Sequence, residues 1–244
     1  MNSKHLIPSI VVSLGFVIAI AIFSRAIINR NSSENIISVT GLAERSFESD
    51  LIVWKSQYTV KKADLVSAYA DLKVQSQIIS KFLSSKGIDP KSITFSAVEI
   101  SKEYNTSYNE KGNAFSVFDG YRLTQQISIT SKDVEKIEKI SREITELINS
   151  GIEITSMSPQ YYYTKLSDLK IEMLAEASKD ALLRAKTMAE NGDADLGDMV
   201  GSTMGVFQIV AQNSAEDYSW GGSFNTSSKK KTASVTVKVQ YKVD

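Results

Sequence analysis

FSVFDGYRLTQQISITSKDVEKIEKISREITELINSG, residues 115–151, changes its hydrophobic period part-way along, and that change decides the fold class. Up to Thr130 the run reads as a strand, rich in β-branched and aromatic residues. Beyond it Val134, Ile137, Ile140, Ile144, Leu147 and Ile148 recur every three or four residues, as on one face of a helix. Thr130-Ser131-Lys132-Asp133 matches a capping box at the junction, and Asn149-Ser150-Gly151 ends the helix.

The same grammar extends both ways. Upstream, 92–103 reads as a strand joined to 115–130 by YNTSYNEKGN, a polar stretch with a glycine that suits a hairpin loop. Residues 36–43 and 51–61 read as two more strands. In the second, Trp54, Tyr58 and Val60 share a face opposite Lys55, Gln57 and Lys61. Asp64 caps a helix carrying Leu65, Ala68, Tyr69, Leu72, Ile79, Phe82 and Leu83, which Gly87 stops ahead of Pro90.

Downstream, 152–163 reads as a strand and 165–190 as the longest helix, with Leu166, Leu169, Met173, Leu174, Ala177, Ala181, Ala185 and Met188 inward. Residues 198–211 carry apolar residues on both faces, as a central strand does. The last strand, 233–243, alternates Val235, Val237, Val239, Tyr241 and Val243 against Thr236, Lys238, Gln240 and Lys242. The expected fold is therefore α+β: a mainly antiparallel sheet with three long helices, in the order β-β-α-β-β-α-β-α-β-β. Hairpin-sized β–β connections argue against a doubly wound parallel sheet.

Ahead of all this stands LIPSIVVSLGFVIAIAIF, residues 6–23, eighteen residues without a charge. A bilayer core of about 30 Å needs about 20 apolar helical residues, and Ala26-Ile27-Ile28 extend the run past Arg25. The segment 6–28 is expected to be a transmembrane anchor, with 1–5 a short tail, 29–35 a polar tether and 36–244 an extracytoplasmic domain. The alternative is a signal segment cut at Ala19-Ile20-Ala21, which would leave the domain secreted to the periplasm; that site lies inside the apolar run and not beyond it. Lys4 on one side balances Arg25 and Arg30 on the other, so orientation rests on the segment's position at the extreme N-terminus.

Composition narrows the chemistry. The chain has 28 basic and 28 acidic residues, and without Lys4, Arg25 and Arg30 the remainder holds 25 against 28. That excludes the basic excess of a nucleic-acid binder. Cysteine is absent and the one histidine is His5. Thiol nucleophiles, Ser–His hydrolysis and Cys- or His-ligated zinc are thereby removed from the soluble part. Neither G-x-G-x-x-G nor G-x-x-x-x-G-K-[ST] occurs, so a nucleotide cofactor has no support. Asp193, Asp195 and Asp198 lack the twelve-residue calcium pattern and read as a helix C-terminal turn. Carboxylates are numerous, but nothing singles out a catalytic pair. No catalytic residue, metal ligand or cofactor is expected, and the chain reads as a non-enzyme.

The most unusual soluble stretch is QNSAEDYSWGGSFNTSSKKK, residues 212–231. Tyr218, Trp220 and Phe224 flank Gly221-Gly222, and such a loop can offer large contact area to a partner or a glycan. The plainer reading folds the rings back onto the loop's own sheet and leaves the flanking charges solvated.

Several motifs together resemble the SIMPL-domain family of bacterial periplasmic and envelope proteins: ISVTGLAERSFESDLIVWKSQYTVKKADLVSAYADL, FDGYRLTQQISITSKDVEKIEKISREITELINSGIEI, ALLRAKTMAENGDADLG and SVTVKVQYKV. The resemblance spans about 36–244. It implies an α+β domain, an exported location and self-association, and it supplies no catalytic residues. The expected function is a membrane-anchored, non-catalytic interaction or assembly domain of the cell envelope, linked to stress tolerance. Its expected partners are the membrane through 6–28 and either another copy or an envelope protein. The alternative is a glycan- or ligand-binding module using the 212–231 loop.

Overall fold

A computed structural model describes residues 6–31, 35–215 and 219–243, and within its first helix the side chains of 14–27. The elements run α1 (Leu6–Asn31), β1 (Ile36–Glu48), β2 (Leu51–Lys62), α2 (Leu65–Ser85), β3 (Ile93–Phe95), β4 (Glu99–Tyr108), β5 (Ala114–Ser131), α3 (Val134–Glu143), β6 (Glu153–Ser156), β7 (Gln160–Tyr162), α4 (Leu166–Asn191), β8 (Leu196–Met204), β9 (Gln208–Ala211) and β10 (Lys230–Val243). The fold is α+β with antiparallel sheets and four helices. The chain forms two compact units: residues 1–44, 170–207 and 234–244, and residues 45–169 with 208–233.

In the second unit a sheet of order β3-β5-β2-β6, with β4 added to β5 and β7 to β2, carries α2 and α3 on one face. β2 and β5 pair from Ile52 opposite Ser131 to Lys62 opposite Tyr121. Every second residue of β2 from Ile52 to Val60 is buried, as the alternation predicts. Trp54 is fully buried, and its indole N–H donates to Ser156 Oγ at 3.0 Å, which donates in turn to Ser141 O at 2.6 Å. Asp64 caps α2 by accepting the Ser67 N–H, and Ala68, Leu72, Ile79 and Leu83 enter the core; Tyr69 stays exposed.

The strand order differs from expectation because three expected strands are broken. Residues 92–103 part at Ser96, whose N–H donates to Gln126 O and whose hydroxyl accepts the Gln126 N–H. Residues 152–163 part at Pro159, which has no N–H for the ladder, and both halves pair with β2. Residues 198–211 part after Gly205, whose N–H donates to Thr236 O. The helix expected over 133–148 is also shorter. Asp133, not Thr130, is its N-cap, and after Glu143 the chain tightens into a 3-10 helix over Ile144–Ser150. With three residues per turn, Ile144 and Leu147 stay buried on one face while Ile148 is exposed.

YNTSYNEKGN is likewise not all loop. Tyr104–Tyr108 belong to β4, and the turn is confined to 109–113, where Asn109 Oδ1 accepts the N–H groups of Lys111 and Asn113. At the hairpin's base β5 carries one extra residue, Asp119, between Gly120 opposite Glu103 and Phe118 opposite Tyr104. Glu103 there accepts from Arg122 and lies 3.2 Å from the Lys61 ammonium, which also meets Asp119. Hydrogen bonds from Arg122 and then Lys61 hold the Glu103 carboxyl down at about 2.

The other sheet has the order β1-β10-β8. Val235, Val237, Val239 and Tyr241 are buried and the intervening residues exposed, as the sequence pattern predicts. β8 is an edge strand and not the central one expected; its two-sided apolar pattern leaves Met199, Val200 and Met204 in water. In the first unit the inward stripe of α4 is Met173, Ala177, Ala181, Ala185 and Ala189, one residue every four; Met188, expected inward, is exposed. Small residues there admit a close approach by β1. A Cβ on Gly41 would stand 2.1 Å from Ala177 O, and the Leu42 N–H donates to Asp180 Oδ2 at 2.8 Å.

The tail 1–5 and residues 32–34 of the expected tether lie outside the described residues, and residues 29–31 are the end of α1. Among the described residues no helix is long and apolar enough to cross a membrane. The transmembrane anchor expected over 6–28 is therefore not met among them.

Candidate functional site

The loop singled out in the sequence leaves β9 and returns into β10, and its anchor is a residue the sequence reading passed over. Gln208 is buried, and its side-chain amide donates to Ser219 O at 2.7 Å while its carbonyl accepts the N–H groups of Ser223 at 2.7 Å and Ser219 at 3.3 Å. One amide thus ties both ends of the turn. The backbone adds Ile209 N–H to Ser223 O and Asn225 N–H to Ile209 O, each 2.8 Å. The turn closes by Gly222 N–H to Ser219 O, with Gly222 at φ +90, a conformation open to glycine.

Trp220 sits at the corner of this pinned turn and is fully solvent-exposed, at 101 %. Gly221 beside it has nothing within 4 Å of where a Cβ would be. Phe224 lies apart from it, 52 % exposed, with its ring 6.5 Å from that of Tyr162 and 5.7 Å from the Lys231 ammonium. The structure therefore separates two aromatics that the sequence placed on one surface: Trp220 projects, and Phe224 folds back. Tyr218 falls outside the described residues.

Beneath Phe224 lies a second surprise. Lys231, read as part of a solvated triplet, is 1 % exposed; its ammonium donates to Tyr161 O at 2.5 Å. Burial alone pushes its pKa down to about 8. The period-2 alternation of β10, carried back from Val235 through Ala233, points Lys231 inward, so the signal was present in the sequence. Tyr161 is also affected: burial first, and then a hydrogen bond with Glu138, raise its hydroxyl to about 12.

In the first unit a groove of about 500 Å³ runs between β1 and α4, lined by Ser38, Val39, Thr40, Arg184, Thr187 and Met188. Its one charge is engaged already, since Arg184 Nε donates to Asp180 at 2.8 Å. Among the described residues no group of three or more His, Cys, Asp or Glu could hold a metal ion. Asp193, at φ +52, lies in the turn that ends α4, where the Ala194 N–H returns to Ala189 O, whereas Asp198, expected in the same turn, belongs to β8.

The site is thus a pinned, projecting aromatic turn on an α+β domain. The chain belongs to the SIMPL family, described as a protein of unknown function (DUF541), whose model matches residues 37–241. No curated protein matches the chain.

Proposed function

We propose that this chain is a non-catalytic interaction domain of the cell envelope, tethered through residues 6–28 with residues 36–244 outside the cytoplasm, and that it meets its protein partner through the Trp220 turn. The observation that carries the contact reading is a fully exposed tryptophan on a turn fixed by a buried glutamine. Tryptophan is enriched among the residues that dominate interfaces, and prior fixing of its loop lowers the entropy lost on binding. The tether reading is supported by the uncharged run 6–23 and by α1, where all the described side chains are exposed and Arg25 is the only charge among them. A helix apolar on every side needs a non-aqueous surrounding.

The chain has no cysteine, so Gly221→Cys gives a single thiol beside Trp220 at a position with free space. In spheroplasts of the expressing bacterium a membrane-impermeant maleimide is expected to label it, about tenfold more slowly than in the purified protein because the partner covers the turn. Adding Trp220→Ala restores the fast rate. Labelling only after lysis removes the extracytoplasmic placement, and equal rates in both settings remove the contact. Protection of the purified protein by soluble envelope glycan transfers the turn to the glycan-binding reading.

A further inference from the structure

The first strand presents a different surface. Among the described residues β1 pairs with β10 alone, so its other edge has no neighbouring strand. Three contacts fix the pairing. The Val243 N–H donates to Asn35 O at 3.0 Å, the Ser49 N–H donates to Lys229 O at 2.9 Å, and the Ser46 and Thr232 hydroxyls meet at 3.2 Å. All three fit one unbroken antiparallel register, in which the odd-numbered residues of β1 turn their N–H and C=O groups to β10. The even-numbered residues turn theirs to the open edge. The Leu42 N–H agrees, since it donates away from the sheet to Asp180 Oδ2 of α4 at 2.8 Å.

That bond protects one position only. From Leu42 back to Ile36 the strand has no charge and no proline, two of the devices by which folded proteins block strand addition. Alongside this stretch runs the groove of about 500 Å³ between β1 and α4. Four residues of α4 rise about 6 Å, and two residues of β1 span about 6.6 Å. With Asp180 against Leu42, Arg184 therefore stands level with Thr40 and Met188 with Ser38, and all four line the groove. Arg184 is held by Asp180 through Nε alone. Among the described residues its two terminal nitrogens have no partner, and its side chain is more than half exposed.

The chemistry of the two walls selects the occupant. At Ser38 and Thr40 the edge offers N–H donors and C=O acceptors in turn. A free anion answers only the donors, whereas an extended main chain answers both. The free end of the Arg184 guanidinium presents two donors to a carboxylate, and the flexible Met188 side chain suits an apolar group. Side chains two residues apart on an added strand share a face about 6.6 Å apart, the spacing of Arg184 and Met188. We propose that the β1 edge from Ile36 to Thr40 captures an extended segment of another protein by strand addition, with an acidic side chain on Arg184 and an apolar one two residues away on Met188. The proposal uses neither the Trp220 turn nor the tether.

The acetylated, amidated heptapeptide TVTETVT tests it, because a valine stands two residues from the glutamate whichever way the strand runs. Titration into the full-length chain in detergent is expected to give saturable binding below about 1 mM. At ten times the dissociation constant, amide exchange at Ser38 and Thr40 is expected to slow about tenfold, while Leu42, already held by Asp180, changes little. Arg184→Gln is expected to weaken binding about fivefold. The peptide TVTQTVT binds the parent as weakly as TVTETVT binds the variant, since each change removes the same ion pair. No saturable binding, binding without slowed exchange at Ser38 and Thr40, or equal affinity for the parent and Arg184→Gln overturns the proposal. Displacement by sodium acetate at equal concentration overturns it in favour of a simple anion site. A two-copy mass without peptide, with Ser38 and Thr40 already protected, overturns it in favour of a second copy. None of these results bears on the Gly221→Cys labelling.

Discussion

Gly41→Ala is expected to destabilise the protein by about 3 kcal/mol, a large effect for one methyl group on a strand. The added Cβ would stand 2.1 Å from Ala177 O, 2.5 Å from Ala181 N and 2.8 Å from Ala181 Cβ. Two of these three atoms belong to the α4 backbone, so no rotamer change makes room. β1 or the helix has to move, and movement breaks the Leu42 N–H bond to Asp180. For a domain of this size the loss corresponds to a fall in Tm of about 10 °C. Ala181→Gly removes only the most distant of the three contacts and is expected not to rescue the variant. Thermal melts of the single and double variants check this; Gly41→Ala melting within 2 °C of the parent would contradict a contact this close.

The second large effect is a stability that rises with pH where most proteins lose it. The folded state holds Lys231 at about 8, whereas its ordinary value is 10.5. Between those values the unfolded chain binds the proton and the folded protein does not, so stability increases with pH. From pH 8 to pH 10 the gain is on the order of 2 kcal/mol. Below pH 8 both states carry the charge and this contribution is flat, at its least favourable. Above pH 10 the trend reverses. Burial raises the Tyr58 and Tyr161 hydroxyls to about 12, so the unfolded chain loses those protons first. Lys61, Lys86 and Lys229 are raised by their carboxylate partners, and their stabilisation is lost only above 10.5. Urea unfolding at pH 7, 8, 9 and 10 is expected to show the rise in the parent and a flat response in Lys231→Met. A rise that survives in Lys231→Met would assign it to another group.

Where burial and local capping act together, the sequence is readable. The Asp64 cap, the α2 stripe through Leu83, the alternation of β2 and that of β10 all repeat a local rule that the packing confirms. The breaks at 96–98, 157–159 and 205–207 are of another kind. Ser96 leaves the strand to pair with Gln126, and Gly205 to reach Thr236, partners 30 and 31 residues away along the chain. Apolar residues on both faces of β8 imitate a central strand, because hydropathy does not distinguish coverage by protein from exposure at an edge.

The candidate loop was legible by composition but not by geometry. Nothing local tells that Trp220 projects while Phe224 folds over Lys231, since the difference is set by the Gln208 side chain. The reach of β4 through to Tyr108 was hidden for a related reason. Tyr104–Tyr108 look like loop because Asn, Thr and Ser dilute the strand pattern, yet the register with β5 carries the strand through to Tyr108.

The most direct test of the contact account is the labelling of Gly221→Cys by a membrane-impermeant maleimide in spheroplasts against the purified protein. The account predicts labelling without lysis, about tenfold slower than in the purified protein. Labelling only after lysis, or equal rates in both settings, would contradict it.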